Sequence, residues 1–184
     1  MLIGITGTLG AGKGTVVKYL ESKGFVHIAV SDTFLAGEAK KRGIEPDRNA
    51  RHDIANEYRS KGPTKLMEAV YELAKEDLDT GSNVVLEPQH TPEEVSFIMA
   101  KGGFVFAVDA DINTRYKRIR ARGGSKDDVT LEEFKSIEDL EMRPSERANN
   151  NLAGAIELCD HIIMNDGTRE ELNSKIESIL KEIK

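Results

Sequence analysis

The stretch that decides the fold of this chain is Gly7-Thr8-Leu9-Gly10-Ala11-Gly12-Lys13-Gly14-Thr15. An apolar run precedes it at residues 1–5, and a helical pattern follows it at residues 16–21. In such a loop, glycines let the backbone close around a phosphate, N–H groups point inward, and the helix adds its positive N-terminal end. Lys13 supplies a mobile positive charge for the outer phosphates. Strand, glycine-rich loop and helix in this order predict a phosphate-binding loop, or P-loop.

The hydroxyl of this loop stands one residue later than in the common motif. The common form has Ser or Thr directly after the lysine as a magnesium ligand, but here Gly14 follows Lys13 and the hydroxyl comes at Thr15. We therefore expect Thr15 to be the magnesium residue of the loop. The residues expected to hold ATP are Gly7, Leu9, Gly10, Ala11, Gly12, Lys13, Gly14 and Thr15.

Length and composition predict a single globular domain over residues 1–184. A chain of 184 residues with 39% hydrophobic residues can bury a full core. The net charge of −6 and the sequence pI near 5.4 argue against a nucleic-acid-binding surface, which is normally basic. A polyanionic substrate must then be held by a local cluster of Arg and Lys.

The remaining composition excludes other classes of protein. Cys159 is the only cysteine, which excludes an intrachain disulfide and a cysteine-based metal site. No secretory signal is visible, because the glycine loop interrupts the first apolar run, and no apolar run approaches the ~20 residues that span a bilayer. We expect a cytoplasmic protein, monomeric or homodimeric, with small-molecule nucleotide substrates and neither nucleic acid nor membrane as a partner.

Short apolar runs predict the strands of one sheet. They occupy residues 2–6, 25–30, 83–87, 104–109 and 161–165, and helical patterns separate them. This alternation is typical of βα units with a parallel sheet covered on both faces. The predicted fold class is therefore α/β, a three-layer α/β/α P-loop NTPase fold with a five-stranded parallel sheet.

The candidate functional residues follow the ends of these strands. They are Gly7, Ser31 and Asp32, Glu87 to His90, Asp109, and Asn165 to Gly167. In an open parallel sheet, ligands bind beyond the carboxyl ends of the strands. This agreement is independent of the P-loop motif and indicates a cleft at that edge of the sheet.

Two carboxylates at strand ends admit two interpretations each. Glu87 either orients magnesium-bound water or the acceptor, or faces solvent at the end of its strand. We favour the cleft for Glu87, because the apolar run before it aims it there. Asp32 either caps a helix that begins near Thr33, a common use of Asp, or faces the acceptor, and both can hold together.

Arginines at two places in the chain can bind phosphate. Arg59 sits near the end of a predicted helix, where it either interacts with the helix dipole or grips the acceptor phosphate with its guanidinium fork. On a later helical segment, Arg115, Arg118 and Arg122 fall within about 60° of one another. They are either a solvated charged face or, because they share one edge and lead into a glycine loop, a catalytic group.

Together these features resemble the P-loop kinase group that contains adenylate kinase, other nucleoside monophosphate kinases and dephospho-CoA kinase. Within this group the chain looks most like small adenylate-kinase-related proteins, and the motif order is similar over almost the whole chain. The parts that carry the resemblance are the G-x-x-G-x-G-K-G-T loop, Asn56-Glu57-Tyr58-Arg59 with Gly62, the spacing of Arg118 and Arg122, and residues 160–172.

The resemblance implies an ATP-dependent kinase with a helical acceptor region at about residues 32–80 and a small lid at about residues 122–145. It favours a small-molecule phosphotransferase over a GTPase switch or a motor. Magnesium would be held largely through the phosphates and through water near Thr15 and Glu87. The implied catalytic residues are Lys13, Glu87, Arg118 and Arg122. The residues implied for ATP beyond the loop are Arg118, Asn165 and Gly167, and those implied for the acceptor are Asp32, Asn56, Arg59 and His90.

Three departures from this group concern the acceptor. His90 stands where an Arg is expected after the third strand, the segment 31–36 lacks a phosphate-gripping Arg, and the lid is acidic at residues 135–141. Because imidazole titrates near pH 6.5, we expect phosphate binding at His90 to strengthen as the pH falls towards that value.

The predicted activity is transfer of the γ-phosphoryl group of ATP to a small nucleotide, with a (deoxy)nucleoside monophosphate as the preferred acceptor. An acceptor that is already an anionic phosphate needs no general base, which fits a chain with no obvious base. One alternative is transfer to a ribose hydroxyl, as in dephospho-CoA kinase, with Asp32 as the base. Another is a nucleotide-binding regulatory protein or partner-dependent ATPase with weak or no transfer.

Overall fold

Strands alternate with helices along residues 1–123, 128–143 and 150–183, which the computed structural model describes. The strands are β1 (Leu2–Gly7), β2 (Phe25–Ala29), β3 (Asn83–Glu87), β4 (Phe104–Asp109) and β5 (His161–Met164). The helices are α1 (Lys13–Ser22), α2 (Ala36–Lys41), α3 (Arg48–Ser60), α4 (Lys65–Asp79), α5 (Pro92–Ala100), α6 (Ile112–Arg122), α7 (Leu131–Met142), α8 (Leu152–Glu157) and α9 (Arg169–Glu182). A π-helical turn at Val30–Leu35 joins β2 to α2. None of these helices has the length and apolar character needed to cross a membrane.

The described strands form one five-stranded parallel sheet in the order β2-β3-β1-β4-β5. β1 lies at the centre, where Ile3 is level with Val85 of β3 and Phe104 of β4. Since all the strands run in the same direction, their carboxyl ends meet at one edge of the sheet. The parallel sheet predicted from the apolar runs is confirmed.

Alternate side chains of the sheet pack against two separate helical layers. On one face, Ile3 and Phe106 belong to a core that includes residues of α1 and α9. On the other face, Leu86 and Val105 belong to a core built with α2, α3, α4, α5 and α8. A parallel sheet covered on both faces needs strands that are apolar throughout, which is why they read as continuous runs. The three-layer α/β/α fold is therefore confirmed.

The second strand is shorter than predicted. β2 ends at Ala29, and Val30 opens the π-helical turn that continues to Leu35. Ala29 occupies the N-cap position of this turn, and Asp32 lies inside the turn rather than at the start of a helix. The helix-capping interpretation of Asp32 is therefore wrong.

The P-loop leaves the sheet at Gly7, tightly against β4. Gly7 has φ 131°, and a Cβ there would lie 2.0 Å from the carbonyl oxygen of Val108, so that only glycine fits. The hydroxyl of Thr8 then donates to Oδ1 of Asp109 at 2.6 Å. These contacts hold the start of the loop at the end of β4.

The described part of the predicted lid packs onto α6. α7 begins with a capping box formed by Thr130 and Glu133. Its buried Phe134 lies beside Tyr116 of α6, with ring centroids 5.8 Å apart. Residues 124–127 and 144–145 of the predicted lid lie outside the residues that the structure describes.

Candidate active site

Glycine shapes the P-loop backbone at the start of α1. Gly12 caps the helix with φ 101°, in the left-handed region. A Cβ at this position would lie 2.5 Å from Nδ2 of Asn165, so the close approach requires glycine. Asn165 in turn donates from Nδ2 to the carbonyl oxygen of Ala11 at 2.7 Å. The β5–α9 connection therefore supports the loop, while the N-terminus of α1 offers its N–H groups to an anion.

Lys13 folds back across the loop. Its Nζ donates to the carbonyl oxygens of Gly7 and Thr8, at 2.7 and 3.0 Å. Burial lowers the pKa of Lys13, and the negative charges of Glu87 and Glu141 oppose this shift. Because added negative charge stabilises a buried ammonium, the site is electrostatically suited to a phosphate.

A cavity of about 510 Å³ opens beside the loop. Residues predicted for ATP that come together in its lining are Gly12, Gly14, Thr15, Arg118, Asn165 and Gly167. Two cationic residues of the lining, Lys18 and Arg169, were not predicted. Lys18 follows Gly14 by four residues and therefore lies on the same helix face. This spacing was the sequence signal that could have placed Lys18 at the cavity. For Arg169 the only signal was its place just after a strand-end loop.

Arg118 joins two parts of this cavity wall. Its Nη2 donates to the carbonyl oxygen of Asn165 at 2.8 Å, and its Nη1 donates to that of Ala11 at 3.4 Å. Arg122, one turn later, is exposed at the C-terminal end of α6. The structure thus places Arg118 at the cavity beside the P-loop, while the catalytic roles of both arginines stay predictions.

Arg115, which shares a helix edge with these two in the sequence, has a separate role. It is buried and donates from Nε to the carbonyl oxygen of Ala110 at 2.8 Å and from Nη1 to that of Leu9 at 3.3 Å. It also forms a two-pronged ion pair with Glu138 of α7. Arg115 therefore links the P-loop backbone to α7, in the described part of the predicted lid, and it does not line the cavity that Arg118 lines.

Glu87 ends β3 inside the cleft. Its side chain is 20% exposed, and its Oε2 lies 3.9 Å from Nε2 of His27. Burial raises the pKa of Glu87, while the positive charge of Lys13 opposes that shift. Because the carboxyl group is largely buried and interacts with the P-loop lysine, the solvent-facing interpretation of Glu87 is wrong.

A second cavity, of about 260 Å³, lies beside α3, and two of the four predicted acceptor residues, Arg59 and His90, line it. Three arginines of α3 line it together with His90 and, from α7, Glu141. The arginines are Arg48, Arg51 and Arg59. Its apolar lining includes Val30, Leu35, Ala55 and Leu66. The combination of apolar walls with several cationic groups suits a small organic anion.

Sequence reasoning found Arg59 in this cavity and missed Arg48 and Arg51. Arginine is absent from the segment 31–36, as noted above, but these two residues of the next long helix supply guanidinium groups to the same space. Positions 48, 51, 55 and 59 are separated by three or four residues, which places them on one helix face. That spacing was the signal that could have found them.

Arg59 is part of the cavity wall rather than of the exposed helix end. Its side chain is 8% exposed, and its Nε donates to Oε1 of Glu94 at 2.9 Å. Its Nη1 donates to Oδ1 of Asn150 at 3.2 Å. An interaction with the helix dipole alone does not account for this burial and pairing.

The other two predicted acceptor residues of this region differ in position. Asp32 has an exposed side chain that forms an ion pair with Arg51, a residue of the cavity lining. Asn56 lies beside His52, with its Nδ2 3.2 Å from Nδ1 of the imidazole, and is not among the described residues that line the cavity. The structure therefore brings Asp32 to the site through Arg51 but does not bring Asn56 there.

His90 lines the cavity as a neutral imidazole. Burial and then the positive charge of Arg59 lower the pKa of His90 to about 3. The expectation that His90 gains a proton near pH 6.5 is wrong, because desolvation and a neighbouring cation both oppose protonation. His90 can donate or accept a hydrogen bond here, but it does not replace the charge of an arginine.

The acidic part of the predicted lid contains two carboxylates that lie near cations. Glu141 of α7 lines the second cavity, where burial raises the pKa of Glu141 and the positive charges of Lys13 and Arg48 oppose the shift. Three residues earlier, Glu138 holds Arg115. Two of the acidic residues that depart from the kinase pattern, Glu138 and Glu141, thus lie close to cations around the P-loop and the second cavity.

This fold and this site define a P-loop kinase-like protein. Residues 3–149 match a family model described as an AAA domain. A UPF0200 protein of Sulfurisphaera tokodaii is 32% identical over 186 residues, which cover 99% of this chain and 97% of the relative. The chain therefore belongs to the AAA-domain family and, within it, to the UPF0200 proteins.

Two solved kinases share the fold. Shikimate kinase from Bacteroides thetaiotaomicron has a TM-score of 0.59 and 17% sequence identity, with 98% of each chain covered. Dephospho-CoA kinase from Campylobacter jejuni has a TM-score of 0.53 and 17% identity, with 99% of this chain and 96% of that chain covered. Similarity at this identity establishes the fold, and it confirms the P-loop kinase group at that level.

Proposed function

We propose that this protein is an ATP-dependent phosphotransferase that moves the γ-phosphoryl group of ATP to a nucleoside monophosphate. The observation that carries the proposal is the cavity lined by Arg48, Arg51 and Arg59. Guanidinium forks bind phosphate oxygens in pairs, so three of them suit the phosphate of an acceptor. Two lining residues, His90 and Glu141, are close enough to Lys13 to interact with its charge, which supports a position beside the P-loop.

ATP would occupy the P-loop and the cavity next to it. Its phosphates would meet the N-terminus of α1 and the ammonium of Lys13, which lies among carboxylates and carbonyl oxygens. Its base would lie on the side of Asn165 and Gly167, whose connection also supports the loop.

Transfer in this arrangement needs positioning and charge neutralisation. A phosphate oxygen of a monophosphate is already anionic, so it can attack the γ-phosphorus without losing a proton, and ADP leaves. Lys13 would stabilise the outer phosphates, and Arg118 and Arg122 would stabilise the transferred group. Glu87, at the end of β3, would orient water or the acceptor.

The oxygen donors of the site fit magnesium. This ion prefers oxygen ligands and keeps several of its waters. The hydroxyl of Thr15 lines the ATP cavity, and the carboxyl group of Glu87 lies near Lys13. No group of three or more His, Cys, Asp or Glu in the described part of the chain could hold a metal by itself. Thr15 and Glu87 would therefore hold magnesium together with the phosphates and water, and the ion would neutralise charge on the β- and γ-oxygens.

A second candidate is transfer to a sugar hydroxyl, and the position of Asp32 favours it. The carboxylate of Asp32 is exposed, is held by Arg51, and lies near enough to Glu87 to raise the pKa of that residue. A hydroxyl acceptor needs a general base, and Asp32 would supply it. The fold similarity to a dephospho-CoA kinase is consistent with this candidate.

A substrate panel distinguishes the candidates. The protein is incubated with ATP, magnesium and one of AMP, GMP, CMP, UMP, their deoxy forms or dephospho-CoA, and ADP release and product mass are measured. The Lys13→Ala protein, prepared in the same way, controls for contaminating kinases. A nucleoside diphosphate supports the proposal, and phosphorylated dephospho-CoA supports the second candidate. ADP release without a phosphorylated acceptor contradicts both and favours an ATPase or a regulatory protein.

A further inference from the structure

Glu94 of α5 is a buried carboxylate that joins two parts of the acceptor cavity. Its side chain is fully buried, with 0% exposed. Its Oε1 accepts a hydrogen bond from Nε of Arg59 at 2.9 Å, and its Oε2 accepts one from the backbone N–H of His90 at 2.8 Å. Both oxygens of one carboxylate are therefore used to hold two different lining residues of the same cavity.

The guanidinium of Arg59 is held from two directions. Glu94 engages Nε, and Asn150 engages Nη1 at 3.2 Å, so that neither contact uses Nη2. A guanidinium is planar, and fixing two of its nitrogens fixes the direction in which the third nitrogen donates. The orientation of Arg59 is thus set before any acceptor arrives.

The second oxygen of Glu94 fixes the segment that carries His90. The backbone of His90 is also held by its carbonyl oxygen, which accepts from the N–H of Asn151 at 2.9 Å. Nδ1 of its imidazole is buried and has no hydrogen-bond partner among the described residues. A buried polar atom without a partner is unfavourable, and a hydrogen-bonding group of a bound acceptor would satisfy it.

A contribution to stability does not by itself explain the Glu94–Arg59 pair. Taking two charges out of water is unfavourable, and an apolar pair of similar volume is often at least as stable. The pair does, however, give the cavity an oriented cation next to a neutral imidazole. Preorganised groups of this kind reduce the loss of freedom on binding.

We propose that Glu94 is a positioning residue for the acceptor. It does not touch the acceptor, but it fixes the guanidinium of Arg59 and the backbone of His90 so that both side chains meet the acceptor in one geometry. This inference rests on the proposed function, because it assigns the cavity to the phosphoryl acceptor.

The first test replaces Glu94 with Gln and uses AMP as the probe. The KM and the dissociation constant for AMP should rise about 10- to 100-fold, the range of one hydrogen bond to a charged group, while the KM for ATP changes less than about twofold. The matched control is Val95→Ala, which removes fully buried apolar volume from the next residue of α5. It should lower the melting temperature and leave AMP binding unchanged.

A second variant keeps the test valid if Glu94→Gln folds poorly. Arg59→Met with Glu94→Gln removes both charges and preserves volume, so its melting temperature should be close to that of the wild type. Its affinity for AMP should be as low as that of the single variant Arg59→Met, because the amide oxygen of Gln can still accept from the N–H of His90 and the contact that Gln loses is the one with Arg59. A further loss of affinity from Glu94→Gln in the Arg59→Met background would overturn this route of action.

The outcomes separate this inference from the proposed function. One outcome is that calorimetry shows weaker AMP binding in Glu94→Gln while the wild type transfers no phosphoryl group to AMP. This outcome supports the inference and contradicts the proposed function. Transfer to AMP with an unchanged acceptor KM in Glu94→Gln overturns the inference alone, as does an equal loss in Val95→Ala. If the wild type neither binds nor phosphorylates any nucleotide of the panel, both are overturned.

Discussion

Replacing His90 with Gln should remove part of the acid sensitivity of the fold. In the folded chain the pKa of His90 is about 3, against an ordinary value of 6.5. Below pH 6.5 the unfolded chain binds a proton at this residue that the folded chain does not bind, so acid favours unfolding. The stability contributed by the neutral imidazole is therefore complete above pH 6.5 and is lost as the pH falls towards 3.

The size of this effect follows from the two pKa values. Each pH unit inside the window changes the free energy of unfolding by up to about 1.4 kcal/mol. Between pH 7 and pH 5 the loss is about 2 kcal/mol, because most of this interval lies below 6.5. Gln takes up no proton, and it keeps the backbone contacts of this position with Glu94 and Asn151.

The assay is urea unfolding of both proteins at pH 5, 6, 7 and 8. The quantity of interest is the difference in unfolding free energy between variant and wild type at each pH. Other titrating groups, such as Glu87 and Glu141, are present in both proteins and cancel in that difference. The difference should shift by about 2 kcal/mol in favour of the variant from pH 7 to pH 5. If the two proteins lose stability in parallel as the pH falls, His90 is not a buried neutral residue in the folded chain.

Three further substitutions test the donor loop, the acceptor cavity and the need for a base. Lys13→Ala should abolish turnover and sharply weaken ATP binding, because the loop loses a buried cation; calorimetry and ADP release measure both. Arg51→Lys should raise the acceptor KM about 10-fold or more and leave the ATP KM within about twofold, because an ammonium does not reproduce a guanidinium fork; steady-state kinetics with each substrate varied measures this. Asp32→Asn should reduce kcat by about 10²–10⁴-fold if the acceptor is a hydroxyl and far less if it is a monophosphate, and kcat is measured with each acceptor.

Other results would contradict these assignments. Unchanged ATP affinity and turnover in Lys13→Ala would remove the P-loop assignment. Equal changes in both KM values for Arg51→Lys, or a change in melting temperature alone, would make Arg51 a structural support for the π-helical turn. A large loss of kcat with AMP in Asp32→Asn would show that the monophosphate mechanism needs a base after all.

The fold and the donor loop were predictable because their signals are local. Buried parallel strands read as continuous apolar runs, and the predicted strands at residues 83–87 and 104–109 coincide with β3 and β4. Glycines such as Gly7 and Gly12 mark backbone conformations that other residues rarely adopt. These properties belong to short stretches of chain, and a single sequence contains them.

The predictions that were wrong or incomplete concern residues whose surroundings are formed by segments far away in the chain. Asp is a common helix-capping residue, but β2 ends at Ala29, and Asp32 lies inside the π-helical turn that follows. His90 was expected to titrate near pH 6.5, but burial and Arg59 keep it neutral. The spacing of Arg48 and Arg51 places them on the helix face of Arg59, but only the packed structure shows that this face meets the cavity of His90 and Glu141.

The sequence by itself therefore determined the class of fold, the loop for phosphate and the edge of the sheet where the cleft lies, because periodicity and glycine placement act over a few residues. Only the tertiary structure decided which charged residues line the cavity of Arg59 and His90 and which partners hold them. Glu94 illustrates the difference: in the sequence it is one of two acidic residues in the first turn of a helix, a position that the helix dipole favours. In the folded chain it is fully buried between Arg59 and the backbone of His90. Burial and charge pairing depend on segments far apart in the chain, and these segments meet only when the sheet and both helical layers have packed.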